Sequence, residues 1–264
     1  MVLKIHHLTT SQSERILWLC EELELPYELV IHDRQGAGHP PPELIKAHRL
    51  NRAPVIEDDS LGFNMVESGG IIQYILATYG EGRLTPSPSD SNFALYLQWF
   101  HFANATLLPA VVTALYLWLG GLAEDSMMMV TAKERIAKYL RFMDDHLSNH
   151  DYFAGDEFTA ADIMNVFPVT TMRSFYGYSL EDYPHIVKYL QERIGTRPAW
   201  KKMREKGEIW DPQLLQAEPP MHGFARRTTL GWLGTFLVPV RMVTRMVSSM
   251  FYTGPGENRK SKDE

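Results

Sequence analysis

The sequence predicts an α/β layer followed by an all-α C-terminal domain, and three features of its 264 residues indicate this order. Residues 3–79 alternate short apolar strand patterns with helical patterns, as in a mixed α/β unit. Residues 80–90 are rich in Gly, Pro and Ser, which is typical of a linker. From residue 92 onward, apolar residues recur with the helical period of about 3.6.

The α/β part has the pattern of a βαβ unit, a short helix, a β-hairpin and a closing helix. Its strand patterns are apolar runs bounded by Gly, Pro and Asp. We expect strands at residues 3–8, 27–32, 53–57 and 62–65. We expect helices at residues 13–23, 43–48 and 68–79.

The C-terminal part is predicted to contain helices only. Apolar positions three and four residues apart indicate helices at residues 92–119, 131–147, 162–172, 180–194 and 198–206. Pro109 lies inside the first of these and should kink or break it, because proline has no N–H to donate. Thr159 and Asp162 have the spacing of a capping box, which would start the helix that follows them.

These patterns predict three regions, residues 1–82, 90–210 and 211–264. In the third region, the apolar run 230–240 is interrupted by Gly and Pro and is too short to span a bilayer. Residues 241–251 have an apolar face opposite Arg and Thr, as in a basic amphipathic helix. We favour an extension that covers a cleft or a subunit interface, and peripheral membrane contact through residues 228–251 is the alternative. Residues 254–264 have a composition typical of disorder.

Charge and cysteine content narrow the class of protein. The formal net charge of −6 argues against a nucleic-acid-binding surface, since phosphate binding needs clustered Lys and Arg. Cys20 is the one cysteine, and its place on an apolar helical stripe predicts a buried residue. With no apolar leader among the first residues, a cytoplasmic protein is expected. His6 and His7 alternate across a strand and no Cys cluster occurs, so no metal site is expected.

Two short segments suggest ligand contacts. Pro54 inside a strand pattern fits an edge strand, or a cis peptide bond after Ala53 that would turn backbone groups outward. Glu67 and Ser68 precede a helix, whose N-terminal amides attract a carboxylate, while Glu67 fits a ligand ammonium. A trans proline and an ordinary capping pair explain the same residues, so both alternatives stay open on this pattern alone.

Motifs spread over residues 3–207 follow one another in a specific order. Ser11, Gln12 and Arg15 form an S-Q-x-x-R element. The further motifs are R-A-P-V-I-E, V-E-S, W-F-H-F-A-N and F-T-A-A-D-I-M at residues 52–57, 66–68, 99–104 and 158–164. In this order they resemble a cytosolic glutathione S-transferase. The serine element resembles the theta class, and the helical motifs are similar to the fungal and bacterial GTT-type enzymes.

The resemblance implies an α/β thioredoxin-like N-terminal domain with a cis-Pro54, joined to an all-α C-terminal domain in the GST fold. It implies that Ala53 pairs through its backbone with the cysteinyl unit of glutathione. Glu67 would bind the γ-glutamyl ammonium, and Ser68 with the helix N-terminus would bind the carboxylate. The residues implied at the glycyl end are Arg52 and His39.

Two hydroxyls are candidates for activating the glutathione thiol. Lowering a thiol pKa from about 8.5 to about 6.5 requires roughly 2.7 kcal/mol. One hydroxyl donor to a charged acceptor supplies about 1.5–3 kcal/mol, and a helix N-terminus adds about 0.3–1 kcal/mol. Ser11, at the crossing from strand to helix, is the favoured catalytic residue. Ser13 is the natural N-cap of the helix and the second candidate. The remaining alternatives are a backbone amide and no activation at all.

The resemblance also implies the reaction. A transferase of this family adds the glutathione thiolate to a small hydrophobic electrophile, in detoxification or in a biosynthetic conjugation, and forms a homodimer. The alternatives are a glutathione-dependent isomerase or peroxidase, and a non-catalytic binding or regulatory protein of the same fold. The electrophile would lie between the two domains, against aromatic residues that could equally be helix core. These residues are Trp99, Phe100, Phe102 and Tyr116.

Overall fold

The computed structural model describes residues 3–35, 39–209 and 211–220. The described residues pack as one compact unit. The predicted division of the chain between residues 82 and 90 stays a prediction. The amphipathic and disordered segments predicted beyond residue 220 lie outside the described residues.

The N-terminal part contains a mixed four-stranded sheet in the order β2-β1-β3-β4. The strands are β1 (Leu3–Leu8), β2 (Tyr27–His32), β3 (Val55–Glu57) and β4 (Met65–Val66). β1 is parallel to β2 and antiparallel to β3, and β3 is antiparallel to β4. The first two strands have the predicted bounds. The last strand was predicted three residues too early, because Asp58 caps a turn through Ser60 and Gly62 has a φ of 65°.

Three helices belong to the same part, and the first of them is central. They are α1 (Glu14–Glu22), α2 (Leu44–Ala47) and α3 (Ser68–Tyr79). Helix α1 contacts β1 and α3, and it also contacts helices of the C-terminal part. Its apolar stripe is fully buried, and Cys20 within it has a pKa raised by burial to about 12. The prediction that Cys20 is a core residue is confirmed.

The described part of the C-terminal region is helical, as predicted. Its α-helices are α4 (Phe93–Phe102), α5 (Leu108–Leu119), α6 (Met127–Leu147), α7 (Ala160–Val169), α8 (Pro184–Lys188) and α9 (Pro198–Lys206). A 3₁₀ turn follows α7 at Thr171–Ser174, and a π-helical turn, Tyr189–Ile194, follows α8. Helix α7 packs against both α1 and α4, so it joins the two parts.

The predicted interruption at Pro109 is present as a change of helix type. Residues Ala103–Leu107 form a π-helical turn between α4 and α5, and the Leu108 N–H reaches back five residues to the Ala103 carbonyl. Proline removes one helical donor, and such turns relieve that loss. Among the described residues, Phe93–Leu119 is the one stretch that is long and apolar enough to cross a membrane by length and composition. Here its helices pack against α6 and α7.

The predicted capping box at the start of α7 is confirmed. The Thr159 hydroxyl accepts from the Ala161 N–H at 3.3 Å, and the Asp162 carboxylate accepts from the Thr159 N–H at 2.8 Å. Asp162 also accepts from the Phe153 N–H and the Tyr189 hydroxyl. These contacts fix the N-terminal end of the helix that packs on α1.

Candidate active site

Ser11 lies in the turn that leads from β1 to α1 and is 6% exposed. The preceding residue, Thr10, has a φ of 53°, which is a strained conformation for a β-branched residue. Arg34 holds this turn by donating from Nε to the Thr9 carbonyl and from Nη2 to the Thr10 carbonyl, both at 2.9 Å. The turn that presents Ser11 is therefore fixed by groups outside it.

The two serines have roles that differ from those expected for a cap. Ser13 precedes α1 but has helical backbone angles, and its side chain makes no capping hydrogen bond. Instead, the Ser13 N–H donates to Ser11 Oγ at 3.2 Å, and the two hydroxyl oxygens are 2.6 Å apart. Ser13 occupies the predicted N-cap position before Glu14, but the side-chain capping hydrogen bond that a serine usually makes there is absent. Its fully buried hydroxyl is oriented toward β1, where it accepts from the Leu8 N–H at 3.1 Å.

His7 completes this group from the strand. Its Nδ1 lies 2.9 Å from Ser13 Oγ, and its Nε2 lies 3.0 Å from the Gly207 carbonyl oxygen at the end of α9. Burial lowers the pKa of His7 from 6.5 to about 4, and the positive groups of His32 and Arg34 act in the same direction. The neutral form of the imidazole is therefore favoured at physiological pH.

Arg15 anchors the start of α1 to the rest of the site. Its buried guanidinium donates from Nη1 to Gln12 Oε1, Ser68 Oγ and Asn104 Oδ1, at 3.0, 3.1 and 2.8 Å. From Nη2 it donates to the Met164 carbonyl at 2.6 Å. Burial lowers the pKa of Arg15 to about 9. One buried cation thus connects α1, α3, the π-helical turn after α4, and α7.

Ser68 begins α3 and is 1% exposed. Its hydroxyl donates to Gln12 Oε1 at 3.1 Å and accepts from Arg15 and from Asn104 Nδ2. Because a hydroxyl has one proton, the Ser68 side chain is already committed within the protein. Donation from the Ser68 side chain to a ligand carboxylate stays a prediction, and it requires the hydroxyl to give up its hydrogen bond to Gln12. The Ser68 backbone N–H, in the first turn of α3, has no helical acceptor and can serve this purpose.

Glu67 precedes α3 with a φ of 75°, a second strained residue at the site. Its side chain is 68% exposed and pairs with Arg52 at 3.0 Å. Exposed ion pairs contribute only about 0–1 kcal/mol, so a ligand can separate this one at small cost. The two charges that the sequence assigned to opposite ends of glutathione therefore lie together here, at the mouth of the site.

The remaining predicted contacts lie in the segment before β3. The Ala53–Pro54 peptide bond is cis, as the resemblance implied, and both residues are buried. His39 is exposed and forms an isolated β-bridge with Gln35. Its role at the glycyl end stays a prediction.

The aromatic residues predicted for the acceptor cleft are mostly core. Trp99, Phe100 and Phe102 are 0%, 1% and 9% exposed, and Trp99 stacks on Phe142 of α6. Placing these three in an open pocket is therefore wrong, because their rings are already covered by other helices. Tyr116, at 49% exposed, is accessible.

An apolar cavity of about 280 Å³ lies between α5 and the start of α6. It is lined by Ala110, Thr113, Leu117, Met127, Met128, Thr131, Ala132 and Arg135. None of the residues predicted to bind glutathione lines it. In the described ranges, no group of three or more His, Cys, Asp or Glu residues is placed to hold a metal ion.

Comparisons with known proteins match both parts of the chain in order. The family of glutathione S-transferase N-terminal domains matches residues 5–83, and that of the C-terminal domains matches residues 101–197. Glutathione S-transferase 3 of Schizosaccharomyces pombe is 32% identical over 77% of this chain and 87% of its own length. Glutathione S-transferase 1 of Saccharomyces cerevisiae is 27% identical over 78% of this chain and 95% of its own length.

Solved structures agree with these matches. A glutathione S-transferase from Actinobacillus pleuropneumoniae has a TM-score of 0.70 and 32% identity, covering 78% of this chain and 93% of that one. A glutathione transferase of Phanerochaete chrysosporium with oxidized glutathione has a TM-score of 0.64 at 22% identity, covering 78% and 95%, and shows the fold alone. A thioredoxin-like layer joined to a helical bundle, together with these matches, defines a protein of the glutathione transferase class. The chain belongs to the glutathione S-transferase family, and glutathione is its co-substrate.

Several residues of the site had no role predicted from sequence. The sequence pattern indicates His7 only as one of two adjacent histidines that do not form a metal site. It includes Asn104 only as part of the W-F-H-F-A-N motif. Glu14, which accepts from the Thr171 hydroxyl at 2.8 Å, has a pKa raised by burial to about 8. One feature of the sequence could have indicated these residues. Polar or charged residues occur in α1 and β1 beside apolar residues that are buried.

Proposed function

We propose that Ser11 activates the glutathione thiol for addition to a hydrophobic electrophile. The supporting observation is the fixed, strained turn that presents Ser11 at the start of α1. A hydroxyl donating to a thiolate supplies about 1.5–3 kcal/mol, and the helix N-terminus adds about 0.3–1 kcal/mol. Together these terms match the roughly 2.7 kcal/mol needed to lower the thiol pKa by about two units. No further general base in contact with sulfur is required.

The proposed glutathione contacts extend from Ser11 in two directions. Glu67 binds the γ-glutamyl ammonium, and the Ser68 N–H with the α3 terminus binds the carboxylate. The Ala53 backbone pairs with the cysteinyl unit. The residues proposed at the glycyl end are Arg52 and His39. Arg52 and Glu67 form an exposed ion pair at 3.0 Å, so this arrangement requires glutathione to separate them, at a cost of about 0–1 kcal/mol.

The experiment compares conjugation by the wild type and by Ser11→Ala with a generic aryl halide. Loss of one hydrogen bond to an anion predicts a fall of about 10- to 150-fold in turnover. Retention on immobilised glutathione should be nearly unchanged, because the remaining contacts are intact. Ser126→Ala, which removes the serine that caps α6, is the matched control and should turn over normally. Normal turnover by Ser11→Ala would show that Ser11 has no catalytic part.

Tyr116 is the proposed acceptor contact, because it is the accessible member of the predicted aromatic set. Its replacement by alanine should raise the KM for an aromatic electrophile while leaving the KM for glutathione unchanged. An equal rise in both KM values would show that Tyr116 does not contact the acceptor.

We further infer a theta-like, GTT-type enzyme that forms a homodimer in the cytoplasm. The S-Q-x-x-R element supports the subtype, and the buried free Cys20 is in keeping with a reducing compartment. Sedimentation velocity tests the dimer and cell fractionation tests the compartment. Recovery in the membrane fraction would instead favour peripheral contact through residues 228–251.

A further inference from the structure

A continuous chain of hydrogen bonds leads from the proposed catalytic serine into the core. Ser11 Oγ lies 2.6 Å from Ser13 Oγ, Ser13 Oγ lies 2.9 Å from His7 Nδ1, and His7 Nε2 lies 3.0 Å from the Gly207 carbonyl. Ser13 and His7 are both 0% exposed. The chain therefore ends on an acceptor that carries no proton and is shielded from water.

The directions of these hydrogen bonds follow from counting protons. The Gly207 carbonyl can only accept, so His7 Nε2 must carry a hydrogen. A neutral His7 then presents a lone pair at Nδ1, and Ser13 donates to it. The alternative acceptor for Ser13, the Leu8 carbonyl, is further away at 3.4 Å. Since the Ser13 proton is used, Ser11 must donate to Ser13 Oγ.

This orientation conflicts with the proposed role of Ser11. While His7 is neutral, the single Ser11 proton is directed at Ser13 and cannot stabilise a thiolate. For Ser11 to donate to sulfur, Ser13 must donate to Ser11, and His7 Nδ1 must donate to Ser13. His7 must then carry protons on both ring nitrogens. The orientation of the Ser11 hydroxyl is thus set by the protonation state of His7.

We propose that His7 accepts the thiol proton of glutathione through Ser13 and Ser11, so that thiolate formation and the turning of the Ser11 hydroxyl are one event. The proposal rests on the role of Ser11 given above. His7 does not touch the substrate, so it is a positioning residue that acts through the two serines.

The step balances in atoms and charge. The S–H bond breaks and its hydrogen becomes the Ser11 hydroxyl proton. The former Ser11 proton passes to Ser13, the former Ser13 proton forms the N–H bond at His7 Nδ1, and no electrons are transferred. The product is a thiolate and an imidazolium joined through two hydroxyls. After sulfur bonds to the electrophile, the proton returns along the chain and leaves with the conjugate or with the departing group.

The groups around His7 determine when the transfer is favourable. Burial is the main factor that opposes a charge on His7 and lowers its pKa, and His32 and Arg34 act in the same direction. The site without a ligand therefore keeps His7 neutral. A thiolate nearby has the opposite effect, because two interacting groups in a low-dielectric site titrate as a pair. The ligand's own negative charge thus makes His7 a proton acceptor when glutathione is bound.

The experiment counts protons as glutathione binds. Thiolate formation is followed by its ultraviolet absorbance across pH, and protons released to a weakly buffered solution are measured with an indicator dye. S-methylglutathione, which has no thiol proton, gives the background. For the wild type we expect thiolate formation with much less than one proton released per thiolate, because the proton stays on His7.

Two variants interrupt the chain at different points. In His7→Gln the side-chain amide can still donate to Gly207 and accept from Ser13, but it cannot take up a proton. In Ser13→Ala the chain is broken directly. Both should shift the thiolate midpoint upward by about one pH unit, a tenfold loss of thiolate below it, and release one proton per thiolate. His6→Gln replaces the neighbouring histidine, which contacts His32 and Glu57 instead, and should behave as the wild type.

The outcomes separate this inference from the proposed function. A full proton released per thiolate by the wild type overturns the relay, and so does wild-type titration by both His7→Gln and Ser13→Ala. Ser11→Ala tests the serine alone. Unchanged thiolate formation in Ser11→Ala overturns the role of Ser11 together with the relay. Loss of thiolate there, combined with full proton release from the wild type, overturns only the relay.

Discussion

Replacing Arg15 by methionine should destabilise the protein because of a proline on another helix. Pro168 lies inside α7 and has no N–H, so the carbonyl four residues earlier, that of Met164, has no helical donor. Arg15 Nη2 donates to this carbonyl at 2.6 Å. The guanidinium of α1 thus completes the hydrogen bonding of α7 across the junction between the two parts.

The expected magnitude follows from the acceptors that would be left. In Arg15→Met, the Met164 carbonyl and Asn104 Oδ1 lose their donor, at about 1–3 kcal/mol each. Gln12 keeps its hydrogen bond from Ser68. Replacing the buried guanidinium by an apolar side chain offsets part of this loss, because burial disfavours the charged form. We expect a net loss of about 2–4 kcal/mol in the free energy of unfolding.

A double-mutant cycle isolates the proline effect. Pro168→Ala restores an N–H to the Met164 carbonyl, so Arg15→Met should cost less in that background by about 1 kcal/mol or more. Urea unfolding followed by tryptophan fluorescence measures all four proteins. Pro198→Ala, at the first turn of α9 where no carbonyl loses a partner, is the control and should be additive with Arg15→Met. Additivity of Pro168→Ala within about 0.5 kcal/mol would refute the reasoning.

Two further predictions concern charged groups at the same junction. Burial raises the pKa of Glu14 from 4.5 to about 8, so the folded state holds a proton that the unfolded state has lost, and stability falls as pH rises through this interval. Glu14→Gln should remove that fall, and an unchanged slope of thermal midpoint against pH would contradict it. Arg197 donates to both Glu22 carboxylate oxygens, at 2.6 and 2.7 Å, in a bidentate pair. Arg197→Lys should lower the free energy of unfolding in urea by about 1–2 kcal/mol, because lysine cannot make both hydrogen bonds. The matched change Arg193→Lys, in an exposed ion pair, should alter the free energy of unfolding by no more than about 0.5 kcal/mol. An equal loss in both variants would show that the bidentate geometry is unimportant.

Sequence patterns predicted the fold where one period dominates a segment. The bounds of β1, β2, α3 and α9 agree with the expected ranges because their apolar residues alternate or recur without interruption. Helix α6 begins at Met127 rather than residue 131, since Met127 and Met128 are exposed and do not follow the buried stripe. The 180–194 pattern was interpreted as one helix, but α8 begins only at Pro184.

The site was less predictable, because its contacts join residues far apart in the chain. Ser11 and the cis-Pro54 were located by motifs. The hydrogen bond from His7 to Gly207 spans 200 residues, and that from Arg15 to Met164 spans 149. No local period encodes such pairs. Whether an aromatic residue of α4 lines a cleft or the core likewise depends on α6, which lies beyond the reach of any local pattern.

The charges at the start of α1 are suited to binding an anionic ligand. Burial shifts the pKa of His7 down to about 4 and that of Glu14 up to about 8, so both favour their neutral forms there. Arg15 keeps its charge, with a pKa lowered by burial to about 9, and it donates to neutral oxygens of Gln12, Ser68, Asn104 and Met164. The start of α1 therefore combines a desolvated cation with little competing negative charge. The same burial that destabilises these groups in the free protein increases their interaction with a thiolate, which connects the folding cost of the site to its proposed chemistry.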